Sequence, residues 1–583
     1  MMTRTKPLLI YDGNCGFCKK WIALWMQWSG DRVDYAPSQS AAQDFPEIPA
    51  EYYDQSVILV LPSGQYLRGA HAVLAALAYN PAAYVAKFLL ACYLKLGPFR
   101  WLIERAYALV AKNRIPFSYL TYWLWGDEVK PSTYVVSRWA FLRGLSLVYF
   151  VAFASIGLQL PGLIGSNGIF TPGSFTDAQV RLVQLAGMGF SVLLFIGFAP
   201  ILNLILLWFC YWFFADLSRD FLWFQWDALL LEVGFLAILF APWTLLPFSP
   251  SRGVREKAPS PFILFLLRFV LFKVIFFSGW VKLTSGDPNW ANLTAIGFHY
   301  ETQPLPTWVS WYAHKLPEWF HIFSAVGMFA LELGASFLFF MPRKARLLGF
   351  FAVLFLQFLI DLTGNYGFFG WLVVCLALLL PDDQFWKRWI PQRWFPRVDL
   401  PVEPSWKRWA VGVVGLILFL VNWTTVPFFS KLITDFRVVN QYGVFAIMTT
   451  QRDEIVLEGS DDGNVWTPYE LKWKPGDLSR PPGFVEPHMP RLDWQMWFAA
   501  LSQDRPPLWF MSMVVRLLQG SSEVAALFRT NPFPDHPPRW IRAQRYQYQF
   551  TDWEERADSG NWWKRALIGP FGVPWSLENL SRK

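Results

Sequence analysis

Charged side chains are scarce in this chain of 583 residues, of which Asp, Glu, Lys and Arg make up 16%. Typical soluble domains contain about 25%. Apolar residues instead make up 54% of the chain, and they include 34 Trp and 54 Phe. The shortage of charge and the excess of large apolar side chains exclude an ordinary soluble enzyme and predict a polytopic membrane protein.

Cysteine is scarce as well. The chain has five cysteines, and only Cys15 and Cys18 are close together in the sequence. This number and spacing do not make a disulfide framework. A second C-x-x-C pair or a His pair is also missing, so the four ligands of a structural zinc site are not available. We therefore expect neither a metal nor a cofactor.

Three further signals are missing. The apolar run from Leu8 to Tyr11 is far too short for the core of a secretory signal peptide, so we expect the N-terminal domain to stay in the cytosol. No soluble segment carries a Lys/Arg cluster interleaved with aromatic residues, so the net charge of +8 does not indicate a nucleic-acid partner. No G-x-S-x-G nucleophile elbow occurs, and no Ser-His-acid site can be argued.

The distribution of charge divides the chain into three parts, because the two ends are polar and the middle is nearly free of charge. We predict a thioredoxin-like α/β domain at residues 1–125, a transmembrane helical region at 130–430 and a β-rich extracytoplasmic domain at 431–583. The predicted fold class is mainly α, a polytopic membrane helical bundle between two smaller domains.

The N-terminal domain contains a motif typical of thiol chemistry. A short strand ending at Tyr11 leads into Asp12-Gly13-Asn14-Cys15-Gly16-Phe17-Cys18, and a helix is predicted over 19–28. A C-x-x-C pair between a strand and a helix is the thioredoxin-like arrangement. The helix N-terminus and the nearby lysines favour a Cys15 thiolate, and Cys18 lies one turn further, where it can resolve a mixed disulfide.

Two interpretations of this pair stay open. Thioredoxins place a proline before the third strand, opposite the thiols, but Asp54-Gln55-Ser56 stands there in this chain. The pair is either redox competent, with a cytosolic thiol or disulfide partner, or a structural remnant. The motif resembles the DCC family of thiol-disulfide oxidoreductase-like domains, and the resemblance implies that Asp12, Cys15 and Cys18 are its functional positions.

Apolar runs of roughly 17 to 25 residues are long enough to cross a bilayer, and about nine occur in the middle region. They lie at 138–160, 182–198, 200–216, 226–247, 260–283, 319–341, 346–362, 366–381 and 408–429. Alternate connections are rich in Lys and Arg, while the others hold little beyond Arg181, Arg219 and Lys315. The positive-inside rule places the basic connections in the cytosol. An odd number of spans then puts the C-terminal domain outside it, in a multi-pass protein of the cell (inner) membrane.

Five ionisable residues fall within the predicted helices: Glu232, Arg268, Lys273, Glu332 and Asp361. A charge at this depth costs at least about 2.5 kcal/mol unless it is paired or hydrated. We predict that Lys273 pairs with Glu232 or with Glu332. Such a pair either fixes helix packing or lines a functional cavity, and the sequence leaves both open.

A dense polar stretch at residues 278–306, here the 278–306 loop, interrupts the apolar pattern. Gly286-Asp287-Pro288-Asn289 predicts a turn and a helix start, and a short helix is predicted from Trp290 to Phe298. It would deliver a run of hydrogen-bonding side chains to one site, namely His299, Tyr300, Glu301, Thr302 and Gln303. Such a network is either structural or a site, because each buried polar group needs a partner.

This loop resembles the signature loop of the lipase maturation factor family, membrane proteins that help certain secreted lipases reach their active state. The resemblance extends over roughly residues 130 to 570, through motifs that include Trp226-Asp227, Leu230-Leu231-Glu232, Tyr442-Gly443, Lys474-Pro475-Gly476-Asp477, Arg491-Leu492-Asp493-Trp494 and Asn531-Pro532-Phe533. It implies a folding factor whose exported client, such as a lipase, contacts the loop at Asp287, Trp290, His299, Tyr300, Glu301 and Gln303.

The C-terminal part alternates like strands and is rich in turns. Ile455 to Gly459 and the segment at Trp466 predict a hairpin, Arg491 to Leu501 predicts a helix, and Tyr546 to Phe550 predicts a further strand. We expect a binding surface there.

Two alternatives to a folding factor remain. One is a membrane oxidoreductase that passes electrons from Cys15 and Cys18 across the bilayer, although no second dithiol is present to receive them. The other is a membrane-embedded enzyme or transporter that acts on a lipid or small molecule through Lys273, Glu232, Glu332 and His299. Membrane lipids are expected partners in each case.

Overall fold

The computed structural model describes residues 5–81, 83–126, 129, 133–218, 220–245, 255–391, 397–399, 436–502 and 506–581. The chain forms two compact units. The first comprises Met1–Ser132 with Pro342–Ala345, and the second comprises Thr133–Met341 with Arg346–Lys583.

The N-terminal unit contains a four-stranded sheet in the order β2-β1-β3-β4. Its strands are β1 (Leu8–Tyr11), β2 (Asp34–Pro37), β3 (Ile58–Val60) and β4 (Tyr66–Arg68). β1 is parallel to β2 and antiparallel to β3. Successive side chains enter two apolar clusters, Leu9 and Leu59 in one and Leu8, Ile10 and Ile58 in the other, because side chains of a strand alternate between its faces. Both faces of the sheet are therefore covered.

Helices surround this sheet. They are α1 (Gly16–Ser29), α2 (Ser38–Ala41), α3 (Ala50–Gln55), α4 (Gly69–Ala78), α5 (Tyr84–Lys95), α6 (Gly97–Lys112) and α7 (Arg114–Trp125), with short 3-10 turns at Gly30–Arg32 and Ala42–Asp44. The helix predicted after the C-x-x-C motif is confirmed, and it begins three residues earlier because Cys15 serves as its N-cap. The α/β class of this domain is confirmed.

Long apolar helices begin the second unit. In order they are α8 (Val135–Leu163), α9 (Asp177–Ile196), α10 (Pro200–Leu217), α11 (Gln225–Phe240) and α12 (Pro261–Thr284). Short helices follow, α13 (Pro288–Ala291), α14 (Ala295–Thr302) and α15 (Trp308–His314). The next are α16 (Glu318–Phe329), α17 (Arg343–Thr363), α18 (Phe369–Ala377) and α19 (Asp383–Trp386). α16 continues through a π-helical turn, Ala330–Gly334, and a 3-10 segment, Ala335–Phe340. Strands β5 (Arg255–Lys257) and β6 (Arg397–Asp399) pair in parallel.

Six helices among the described residues are long and apolar enough to cross a bilayer: Val135–Leu163, Asp177–Ile196, Pro200–Leu217, Pro261–Thr284, Glu318–Phe340 and Arg343–Thr363. α11 has 16 residues and α18 has 9, which is too short for a span of about 20 residues. The predicted span at 408–429 lies outside the described residues. A multi-pass helical protein is confirmed, whereas the prediction of nine spans is not.

The C-terminal region, described at 436–502 and 506–581, combines a sheet with helices. The sheet has the order β10-β9-β7-β8, with antiparallel neighbours. Its strands are β7 (Arg452–Ser460), β8 (Thr467–Tyr469), β9 (Trp540–Phe550) and β10 (Trp563–Pro570). The helices are α20 (Arg491–Leu501), α21 (Leu508–Leu518), α22 (Ser522–Ala525), α23 (Trp553–Ser559) and α24 (Leu577–Ser581).

This region is mixed rather than β-rich, which corrects the prediction. α20 packs on β7 and α21 packs on β9, so helices complete the core on the sheet. Buried apolar residues of α8–α12 and of the C-terminal region also belong to one continuous cluster. The C-terminal region is therefore packed directly onto the helical bundle.

Candidate functional site

The middle of the 278–306 loop folds differently from the prediction, whereas α12 ends within one residue of the predicted span at 260–283. α12 continues through Ser278 to Thr284, and two short helices, α13 and α14, replace the single predicted helix from Trp290 to Phe298. The chain turns between them at Leu293, whose φ of 61° lies in the left-handed region. This turn ends α13 and lets α14 carry His299 at its C-terminal end.

Asp287 and Trp290 attach the start of this loop to the C-terminal region. One Asp287 oxygen accepts hydrogen bonds from the backbone and side-chain N–H groups of Asn289, both at 2.9 Å, and caps α13. The other oxygen accepts from the backbone of Met448. The Trp290 indole donates to the carbonyl of Phe445 at 2.9 Å. Burial raises the pKa of Asp287, but these hydrogen bonds outweigh it and hold the pKa below its ordinary value.

Gln303 attaches the end of the loop to α15, to the end of α17 and to Tyr366 beyond it. Its amide N–H group donates to the carbonyl of Thr363 and the hydroxyl of Ser310, each at 2.9 Å. Its amide oxygen accepts from the hydroxyl of Tyr366 at 2.8 Å. Because Gln303 is buried, these bonds satisfy a side chain that water cannot reach.

His299 is held as a neutral ring. Its Nε2 lies 3.1 Å from the hydroxyl of Tyr366, and its ring meets Phe445 edge-on at 4.8 Å between centroids. Burial, with a smaller contribution from the charge of Lys282, lowers the pKa of His299 to about 4. A general base that works near neutral pH needs a pKa closer to 7, so this environment favours a structural role.

Glu301 and Tyr300 complete the predicted set. The Glu301 carboxylate accepts from the backbone N–H of Phe550 on β9 at 2.7 Å, and burial raises its pKa above the ordinary value. Tyr300 is partly buried, with its ring 5.8 Å from that of His321. The loop thus contacts β9 as well as the segment at 445–448.

Arg452 is the site residue that sequence reasoning missed. Its guanidinium donates to the carbonyls of Glu301 at 2.7 Å, of Gln303, and of Pro304 at 3.0 Å. The last carbonyls of a helix have no partner within the helix and attract cations, so Arg452 caps α14 from the sheet. Glu454 balances its charge at 2.9 Å. The only sequence signal was a charge at the start of an apolar strand.

The burial of the loop limits what it can contact. Asp287, Trp290 and Gln303 are 6%, 2% and 1% exposed. These three side chains are internal, and client contact at them stays a prediction. Their bonds fix the C-terminal region to the loop.

Two ion pairs account for three of the predicted intramembrane residues. Lys273 Nζ lies 2.6 Å from Glu232 Oε1, which is one of the two predicted pairings. Glu332 does not pair with Lys273 but with Lys282, at 2.7 Å. Lys273 and Lys282 are nine residues apart on α12, which corresponds to about 14 Å along the helix axis. Glu332 therefore lies within reach of only one of them.

The Glu232–Lys273 pair also holds the start of the C-terminal region. Glu232 accepts from the hydroxyl of Tyr442 at 2.6 Å and from the backbone of Asn440 at 3.0 Å, and Lys273 donates to the Asn440 carbonyl at 3.0 Å. Glu232 and Lys273 are 3% and 4% exposed. Buried charges with this many partners are typical of a structural network.

A second missed contact joins α11 to α20. Arg491 and Asp227 form a two-point ion pair with both distances at 2.8 Å, and the hydroxyl of Tyr211 donates to the same carboxylate. Both partners are buried. Each residue belongs to a motif that carried the family resemblance, but nothing in the sequence indicated that the two motifs meet.

The C-x-x-C pair lies where the sequence placed it. The Cys15 sulfur accepts from the backbone N–H of Cys18 at 3.2 Å, at the N-terminus of α1. Burial, together with the hydrogen bond and charge of Cys15, raises the pKa of Cys18 to about 12. Asp12 forms an ion pair with Arg114 at 3.2 Å. Both thiols are free, and Cys15 stands at the N-cap of α1, where an attacking thiol is expected.

Comparison with known proteins agrees with these features. Residues 136–177 and 170–388 match the family model of the lipase maturation factor transmembrane domain, and residues 438–574 match its C-terminal domain. Lipase maturation factor 2 of Rattus norvegicus is 34% identical over an alignment of 590 positions. This alignment covers 76% of this chain and 83% of the relative. This chain belongs to the lipase maturation factor family. Lipase maturation factor 1 of Mus musculus is 32% identical over 516 residues, covering 77% and 88%.

The resemblance of the 278–306 loop to the lipase maturation factor family is therefore confirmed. Residues 9–119 match the DCC1-like thiol-disulfide oxidoreductase family, so the N-terminal domain is of this type. The human lipase maturation factor 2 is similar at 34% identity over 602 residues, covering 76% of this chain and 84% of the relative. No solved structure gives a significant match.

Proposed function

We propose that this protein assists the folding or assembly of an exported client protein, such as a lipase. The names of the relatives and the family models support this role. The single observation that carries it is the capping of α14 by Arg452, because it joins the loop and the C-terminal region into one body. In this role the buried 278–306 loop holds the C-terminal region in place, and the exposed surfaces of the C-terminal region bind the client.

The proposed topology has a cytoplasmic N-terminal domain and an extracytoplasmic C-terminal region, in the inner membrane. The alternation of basic connections supports it. Arg491 of the C-terminal region contacts Gln159 and Tyr211, near the C-terminal ends of α8 and α10, and Asp227, near the N-terminal end of α11. These three helix ends therefore lie together. The loop and the C-terminal region then share one side of the membrane.

The N-terminal domain, in this proposal, exchanges disulfides with a cytosolic partner. The Cys15 thiolate attacks a disulfide of the partner, a mixed disulfide forms, and one partner sulfur leaves as a thiolate. Cys18, after losing its proton, attacks the Cys15 sulfur and releases the second partner thiolate. The partner is reduced and the Cys15–Cys18 pair is oxidised. The position of Cys15 as the N-cap of α1 supports its part in this sequence.

The alternatives have less support. Glu232 and Lys273 are buried and bonded to each other and to Asn440, so a lipid or small-molecule site at these residues requires the network to open. No additional dithiol is evident among the isolated cysteines Cys92, Cys210 and Cys375, which disfavours electron transfer across the bilayer.

Purification of the tagged protein from its native membrane, followed by identification of the proteins that accompany it, tests the proposed function. We expect exported proteins to co-purify with it, in smaller amounts after Arg452→Gln than after the matched substitution Arg542→Gln, which lies on the same sheet and pairs with Glu458 away from the loop. Recovery of cytosolic proteins alone would argue against a role in export.

A further inference from the structure

Helix α15 lies between the ends of two membrane-spanning helices. The backbone N–H of Thr307, just before α15, donates to the carbonyl of Thr363, the last residue of α17, at 3.1 Å. α15 itself ends at His314, and the span Glu318–Phe340 begins four residues later. Both ends of α15 are therefore tied to the level at which spans leave the bilayer.

One side of α15 is fixed inside the C-terminal region. Trp311 is fully buried, packs against Trp553 at 4.6 Å and lies 5.9 Å from Trp562. The guanidinium of Arg556 stacks over Trp562 at 3.5 Å and over Trp311 at 4.5 Å. α15 and α23 therefore hold each other in place, and the part of the C-terminal region around α23 lies at the same level as α15.

The adjoining face of α15 carries exposed rings that continue onto the C-terminal region. Trp308 and Tyr312 share a helix face, with centroids 6.0 Å apart. Trp308 also contacts Phe484 at 6.0 Å, and Tyr312 contacts Trp553 at 5.8 Å. These four residues form a continuous row, here called the aromatic rim, and each is between 39% and 57% exposed.

We propose that the aromatic rim lies in the lipid headgroup layer, so that the C-terminal region is seated on the membrane surface by its own side chains Phe484 and Trp553. Tryptophan and tyrosine concentrate at this depth because an apolar ring and a polar N–H or O–H group match the two sides of the interface. The rim thus joins two aromatic residues of α15 with two residues of the C-terminal region.

A lipid surface is favoured over a protein partner because α15 lies between the ends of two candidate spans. The backbone of Thr307 bonds to the last residue of α17, and the next span begins four residues after α15. That span begins with exposed aromatic rings, since Trp319 and Phe323 are 67% and 66% exposed. Exposed aromatic residues beside the ends of spans have the bilayer surface as their nearest partner.

The test places an environment-sensitive fluorescent amino acid at position 484 or 553 of the full-length protein in phosphatidylcholine nanodiscs. Both positions are half exposed, and position 484 takes no part in the Trp311–Trp553 contact that joins α15 to α23, so it serves alone if the replacement at 553 disturbs that contact. The control is position 465, where Val465 is 71% exposed in the turn between β7 and β8. The two probes are lipids with a nitroxide on the headgroup and iodide in the water.

We expect the headgroup nitroxide to quench positions 484 and 553 several-fold more than position 465, and iodide to show the reverse order. Quenching of all three positions by iodide to the same extent would overturn the proposal. That outcome is expected if the rim is exposed to water and binds a client protein instead of lipid. This test does not depend on the proposed function, since it needs no client.

Discussion

Arg452 donates a hydrogen bond to the carbonyl oxygen of Glu301 at 2.7 Å, across 151 residues of sequence. The bond connects the first residue of a strand in the C-terminal region with the last turn of α14 in the 278–306 loop. The loop is therefore completed by a residue that lies far outside it.

Replacing Arg452 with Gln should lower the free energy of unfolding by about 3 to 5 kcal/mol, the cost of removing one partner from a buried charged network. The loss arises because the carbonyls at the end of α14 lose their donor and Glu454 loses a neighbouring cation. Denaturant unfolding in mixed micelles measures it. Arg542→Gln is the control, with an expected change of at most about 1 kcal/mol because that pair is partly exposed. Equal losses for both variants would contradict the assignment.

The neutral state of His299 predicts a pH dependence of stability. The folded pKa is about 4, and the unfolded value is about 6.5. Between these values the unfolded chain binds the extra proton, so the contribution of this histidine to stability falls as the pH is lowered from about 6.5 to about 4. His299→Gln should flatten that slope, as measured by unfolding at several pH values.

The exposed His536 supplies the control for this pH experiment, since its side chain is 63% exposed. The slope of His299→Gln is compared with that of His536→Gln, a histidine outside the 278–306 loop. An unchanged slope in His299→Gln would show that the ring of His299 is not held neutral.

The N-terminal thiols should react unequally. Because burial raises the pKa of Cys18 to about 12, this thiol stays protonated at neutral pH, and we expect Cys15 to account for rapid alkylation. Cys15→Ser should abolish that labelling, while Cys92→Ser should not, as read by mass spectrometry. Cys18→Ser should trap mixed disulfides with cytosolic proteins. Trapping of an exported protein would overturn the proposed compartment.

The proposed topology predicts which fusions of a cytosol-dependent reporter are active. A reporter inserted after Lys257 or Lys344 should be active, and one fused after Lys583 should be silent, because the basic connections face the cytosol. Reporter activity compared at equal protein levels is the measurement. An active Lys583 fusion would reverse the orientation of the loop and the C-terminal region.

Local features of the fold were predictable from the sequence. α20 begins at Arg491 and ends at Leu501, as its apolar spacing predicted, and the hairpin at residues 455–466 is present as β7 and β8. Cys15 stands at a helix start because strand, turn and helix signals follow one another there. Such elements depend on neighbours within a few residues, and a sequence displays those neighbours directly.

Long-range partners were not predictable. Arg491 and Asp227 are separated by 264 residues, and their charges alone do not identify the pairing. Glu232 and Glu332 were both candidate partners of Lys273, and the sequence did not show that Glu332 pairs with Lys282 instead. Trp290 was expected to contact a client. It is buried because it packs inside the protein, where its indole donates to the carbonyl of Phe445 in the C-terminal region. Packing of distant segments decides these outcomes.

The central claim is that the loop supports a client-binding body and is not a reaction centre. Once a client is identified, the most direct test is the yield of active exported client from cells that carry loop variants at matched membrane levels. We predict that His299→Gln keeps most of the yield, whereas Arg452→Gln lowers it to nearly the level of a deletion of residues 286–303. A loss with His299→Gln as complete as with that deletion, while Arg452→Gln retains the yield, would contradict the claim and indicate chemistry at His299.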